Sequence, residues 1–270
     1  MQHVSVSDFS SWRSAARSLL NRNIAPERVT WIDPRSAVLH LALSMAPEPD
    51  IQPTSGSRSI SIPRDALQLL EACACHRDGQ RWGLMYRLVW RLNHGERRLL
   101  EIAADDDVRE LSMMLKAVNR DCHKMKAFVR FREVADAAGE SRYVAWFEPE
   151  HHILQRAAPF FVDRFASMHW TIVTPEGAAQ WDLTRLWFLD DVAAIALPAS
   201  DEKETLWRAY YGSIFNPARL KQRTMQREMP KRYWKNLPEA HDIAELADRA
   251  QRRVEGMLTT APVDLDRWHS

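Results

Sequence analysis

The sequence predicts an α+β fold: a helical N-terminal half, a small mostly antiparallel sheet, and a helical C-terminal tail. Three observations lead there. Apolar residues recur at three- and four-residue steps through the first half, most regularly over residues 105–122, where Val108, Leu111, Leu115, Val118 and Cys122 line one face. The period drops to two over residues 127–134 and 143–147. Helical spacing then returns over residues 201–211, 217–228 and 240–258.

In chain order, residues 9–20 form a first helix with Trp12, Ala16, Leu19 and Leu20 on its apolar side. Residues 29–32 and 37–43 are strand-like and flank the turn signal Asp33-Pro34-Arg35. The Pro- and Ser-rich stretch 47–59 is a linker. Pro63 opens a helix that runs to about His76. After the Asp78-Gly79 turn, residues 80–93 form another, with Trp82, Met85, Val89 and Leu92 on one face and Gly95 as its stop. Asp105, Asp106 and Asp107 suit the positive N-terminal end of the helix that follows. Residues 127–134 and 143–147, joined through Ala138-Gly139-Glu140, make a hairpin. A helix begins at Pro149 and is kinked or split at Pro159. Residues 170–173 and 185–189 are strands, with Gly177 and Trp181-Asp182 in a turn between them. The organisation reads as a mainly helical region 1–122 and an α+β region 123–270, packed as one compact unit.

The chain has 270 residues, 46% of them hydrophobic, enough to bury a sizeable core. No apolar run approaches the ~18 residues of a membrane span, and residues 1–13 lack a signal-peptide core. Three cysteines (Cys73, Cys75 and Cys122) argue against a disulfide framework and suit a reducing cytoplasm. Charge is distributed unevenly. Between Asn216 and Lys235 stand Arg219, Lys221, Arg223, Arg227, Lys231, Arg232 and Lys235 against Glu228, a net of +6 in a chain of +1.

Concentrated cation beside Tyr233 and Trp234 suits a phosphate backbone with unstacked bases. Asn216-Pro217 starts a helix on which Arg219, Arg223 and Arg227 repeat every four residues, a stripe able to track phosphates or to make internal ion pairs. Alternation in residues 127–134 puts Arg130 and Arg132 on one strand face. If register sets Trp146 beside them, the sheet is either a stacking platform with phosphate clamps or a solvated face with a cation–π pair.

Acid/base candidates are Glu148, Glu150, His151, His169 and Asp182. The stretch Glu148-Pro149-Glu150-His151-His152 lies at a strand-to-helix junction, where carboxylates cap helices but also serve catalysis. Adjacent His151 and His152 point about 100° apart on a helix, so they cannot chelate one metal together. Cys73-Ala74-Cys75-His76 lacks zinc-site spacing and reads as helix core. No metal site and no cofactor is expected, and Walker A, GxGxxG, HExxH and GxSxG patterns are absent.

The stretches HKMKAFVRFREV (123–134), YVAWFEPEHHI (143–153), APFFVDRF (158–165), MHWTIVTP (168–175), YYGSIFNPARLK (210–221) and MPKRYWKNLPEA (229–240) resemble a bacterial family of DNA repair or DNA metabolism proteins of unknown function. WRSAARSLL (12–20), HRDGQRW (76–82) and RLVWRLNHGE (87–96) extend the resemblance over nearly the whole chain. It implies a DNA-repair setting, because members are often encoded beside a radical-SAM protein or fused ahead of a uracil-DNA glycosylase-like domain. It supplies no catalytic residue. The glycosylase signatures Gly-Glu-x-Pro-Gly and His-Pro-Ser are absent. Trp181-Asp182-Leu183 stands where relatives have Trp-Asp-Gly, so a different turn is expected there.

Three functions follow as expectations. The first is a DNA-binding accessory or processing protein that works with a radical-SAM or uracil-DNA glycosylase-like partner. Its contacts would be Arg130, Arg132, Trp146, Arg219, Arg223, Arg227, Lys231, Arg232, Tyr233 and Trp234. The second is an enzyme on damaged or modified bases, which needs the acid/base set to converge. The third is a protein–protein adaptor without DNA contact.

Overall fold

The computed structural model describes residues 1–35, 60–135 and 141–190. The expected strand 37–43, the linker 47–59, the hairpin turn 138–140 and the three C-terminal helices lie outside the described residues. The architecture is α+β, with five helices and a mixed five-stranded sheet among the described residues. The chain divides into two units, residues 1–123 with 149–157, and residues 124–148 with 158–270.

In the first unit, β1 (Gln2–Ser5) pairs in parallel with β2 (Val29–Ile32). β1 has no counterpart among the expected elements. Between them runs α1 (Phe9–Asn21). Asp8 caps it, accepting the Ser11 N–H at 2.7 Å while Ser11 Oγ accepts the Asp8 N–H, a reciprocal capping box. Trp12, Ala16, Leu19 and Leu20 are buried, as their spacing predicts. α2 (Arg64–Cys73) follows Pro63, and α3 (Arg81–Asn93) buries Trp82, Met85, Val89 and Leu92. Gly95, at φ 114°, ends the path of α3 in a conformation that disfavours a side chain. The first aspartate of the 105–107 run is the cap of α4 (Asp106–Phe128), because Asp105 Oδ1 accepts the N–H of Asp107 and of Val108.

α4 overruns its expected end by six residues, through Phe128. The first hairpin strand is correspondingly short, β3 (Arg132–Ala135), and pairs antiparallel with β4 (Ser141–Trp146). The alternation over residues 127–134 therefore belongs partly to a helix end, where apolar residues also recur at short spacing. α5 (Leu154–Arg164) continues through Pro159 instead of splitting there. It starts five residues after Pro149, and residues 150–152 form bends. β5 (Trp170–Thr174), β6 (Gly177–Trp181) and β7 (Leu186–Leu189) complete the second unit.

Gly177–Trp181 is thus a strand and not a turn. Its small residues Ala178 and Ala179 carry little β propensity, yet both are fully buried between β5 and β7. The order is β3-β4-β5-β6-β7, with β4 and β5 parallel and the other pairs antiparallel. Trp170 packs on one face with Phe131 and Phe161, at ring separations of 6.0 and 6.2 Å. The opposite face carries a smaller apolar cluster of Val144, Val173 and Ala178 with Val134 and Trp146.

Candidate functional site

The register across the second unit's sheet aligns residues far apart in sequence. Arg132 pairs with Val144, Val144 with Thr171, Thr171 with Gln180, and Gln180 with Trp187. Directly paired residues share a face, so one row runs Arg132–Val144–Thr171–Gln180–Trp187 across all five strands. Four inter-strand steps of about 4.8 Å make it roughly 19 Å long. A cation stands at one end, the buried Val144 beside it, then the hydrogen-bonding side chains of Thr171 and Gln180, and an indole at the other end.

The β6–β7 turn holds that indole. Asp182 Oδ1 accepts the Thr184 N–H at 2.9 Å, the Thr184 hydroxyl at 2.6 Å and the Arg185 N–H at 2.7 Å, while Oδ2 accepts the Trp187 indole N–H at 2.8 Å. The Thr184 hydroxyl and the Trp187 N–H, with the two backbone donors, hold the Asp182 carboxyl well below the usual carboxylate range. A carboxylate so stabilised is a poor proton acceptor, so Asp182 serves as a turn anchor. Leu183 takes φ 74°. A non-glycine residue therefore takes the left-handed conformation here, and the hydrogen bonds to Asp182 offset the strain of the Leu Cβ. Arg185 lies over the Trp187 ring at 4.7 Å.

The other sheet candidates take different places from those expected. Arg130 precedes β3, and its Nη1 donates to the carbonyls of Ala127 and Val129 at the end of α4. It therefore does not share a strand face with Arg132. Trp146 is half-buried in the apolar cluster and donates its N–H to Glu148 Oε1 at 2.8 Å. The exposed indole of the face is Trp187, which the periodicity marked only as a strand residue. The available signal was Asp182-x-Thr184, a pattern that builds side-chain-anchored turns. Arg219, Arg223, Arg227, Lys231, Arg232, Tyr233 and Trp234 lie outside the described residues.

The acid/base candidates are divided between the two units. Within the second unit, Trp170 pairs with Trp181, so His169 and Asp182 follow at the same end of the sheet. Glu148 lies beyond the opposite end, past the pairing of Trp146 with Val173. Five residues of strand, roughly 16 Å, separate the two levels.

Glu150 and His151 belong to the first unit, where Asp121 Oδ2 accepts both their backbone N–H groups at 2.8 and 2.9 Å. The buried His151 ring stacks on His76 at 4.3 Å. His151 Nδ1 accepts the Arg77 N–H, and His76 Nδ1 accepts the Asp78 N–H. His76 is thereby held neutral with its proton on Nε2, presenting a donor where a general base needs a lone pair. Burial, followed by the neighbouring His151, lowers the pKa of His76 to about 4. Cys73 is core, its thiol against the Leu111 carbonyl and pushed up to about 12 by burial. Among the described residues no group of three or more His, Cys, Asp or Glu is arranged to hold a metal, and no helix is long and apolar enough to cross a membrane.

The first unit contains a second arrangement of the kind seen at Asp182. Asp33 Oδ2 accepts from Arg81 Nη2 at 2.5 Å and from the Trp82 indole N–H at 3.3 Å, and the Arg81 guanidinium lies 4.1 Å from the Trp82 ring centroid. Here the guanidinium is fully buried and ion-paired. Burial works to raise the Asp33 carboxyl, but Arg81 and the Arg35 N–H outweigh it and leave it lowered.

Residues 79–239 match the model of a family described as a domain of unknown function, DUF4130, and the chain belongs to that family. The match takes in α3, α4 and the five-stranded sheet, with every candidate contact and acid/base residue, and leaves out β1, α1, β2 and α2. No curated protein and no solved structure matches the chain.

Proposed function

We propose that this protein binds DNA as an accessory or processing factor of bacterial DNA repair, beside a radical-SAM or uracil-DNA glycosylase-like partner. The observation that carries the reading is the cross-strand row of Arg132, Thr171, Gln180 and Trp187. It offers a phosphate contact, hydrogen-bonding groups and a stacking surface on one rigid face, the components of strand recognition. The +6 of residues 216–235 adds counterion-releasing charge to the same chain. The partner assignment rests on the resemblance of the sequence stretches given above.

Fluorescence-anisotropy titrations of labelled DNA between about 50 and 200 mM salt test the reading. Binding should weaken steeply with salt. Combining Arg132→Ala with Arg219→Ala and Arg223→Ala should lower the slope of log K against log salt by about one for each phosphate left without its cation. An affinity and slope equal to wild type in that triple variant would reject it.

A further inference from the structure

The geometry points to the β6–β7 hairpin as a stacking site for an unpaired nucleobase, with Trp187 as the shelf and Arg185 as the adjoining phosphate contact. This deepens the DNA-binding reading and rests on it. It specifies single-stranded or locally opened DNA as the ligand.

Three observations converge on one turn. Trp187 is 45% exposed, and its indole is pinned through the N–H bond to Asp182, so little rotamer freedom remains to be lost on binding. Arg185 covers one face of that ring, so a base stacks on the other, and among the described residues its guanidinium is bonded to no carboxylate. The buried trio of Asp33, Arg81 and Trp82 shows the contrasting case, in which the guanidinium is neutralised by the aspartate. In the exposed trio, the donors to Asp182 are two backbone N–H groups, a hydroxyl and an indole, which leaves the cation available for a phosphate. Trp187 pairs with Gln180 and Gln180 with Thr171, so two half-buried hydrogen-bonding side chains adjoin the indole on its own face. A base in a duplex already stacks on both sides, so the shelf favours unpaired DNA. Asp182 is a positioning residue: it orients the ring and touches no ligand.

Anisotropy titrations of the full chain with labelled dT12 and with a duplex of the same length provide the test. Trp187→Ala should weaken dT12 binding by roughly tenfold or more and leave the duplex nearly unchanged, while Trp187→Phe retains most of the affinity. Arg185→Ala should reduce the salt slope for dT12 by about 0.7, the value for one phosphate on a single strand, and decides the matter if Trp187→Ala does not fold. Asp182→Ala should lower dT12 affinity without changing that slope, because it moves a ring and leaves every phosphate with its cation. Unchanged dT12 affinity in Trp187→Ala and Arg185→Ala, or equal losses on both DNAs, overturns the inference while leaving DNA binding standing. So does a dimer that Trp187→Ala dissociates with DNA binding intact, which would make the hairpin a contact between copies. A wild-type chain that binds neither DNA removes the parent reading as well.

Discussion

The two aspartate–tryptophan–arginine trios differ in what surrounds them, and that difference separates stability from presentation. Around Asp33, Arg81 and Trp82, burial is complete enough that the guanidinium must be paired, and Arg81 also donates to the carbonyls of Ala74 and Asp78. Around Asp182, Arg185 and Trp187, the aspartate is used up in the turn, and both the ring and the cation face solvent. The same three side-chain types therefore tie segments together in one unit and display a surface in the other.

The largest expected effect comes from breaking the buried trio. Arg81→Met leaves Asp33 buried without its cation and should cost about 3–5 kcal/mol in urea denaturation. A loss below about 1 kcal/mol would mean the site admits water, and the contrast with the exposed trio would dissolve.

A smaller effect is expected from the stacked histidines. His76 is held neutral in the fold, with a pKa of about 4 against 6.5 for the free side chain. Between those values the unfolded chain binds the proton more readily, so stability is full above about pH 6.5 and declines as pH falls toward 4. The groups acting on it are His151, Asp78, Arg81 and His152. Thermal melts across this window should show the decline, and His76→Gln should flatten it. An unaltered slope in that variant would place the sensitivity elsewhere.

The smallest effect sharpens the exposed side. Leu183→Gly should stabilise the chain by about 0.5–1 kcal/mol, since removing the Cβ relieves a left-handed residue at some entropic cost in the unfolded chain. A destabilisation would show that the exposed Leu183 side chain contributes packing that outweighs its strain.

Most helices were legible in the sequence because each carries its own evidence. α1, α3 and the start of α4 bury the residues that their spacing marks. The ends were harder to place. Nothing local distinguishes residues 123–128 as helix from the beginning of a strand, and the alternation of apolar residues there fits both. β6 was obscured because its alanines are selected by the space inside a sheet, a constraint supplied by strands β5 and β7. Of the candidate contacts, Arg132 stands on the face that alternation assigns it, but Arg130 went to a helix end and Trp146 into an apolar cluster.

By itself the sequence determined the α+β class, the apolar faces of the helices and the placement of charge along the chain, because these follow from period and composition. Tertiary structure alone decided that Arg132, Thr171, Gln180 and Trp187 form one row, and that one Asp–Trp–Arg trio is sealed while its counterpart is open. Strand register and burial are properties of paired segments, and no single segment carries them.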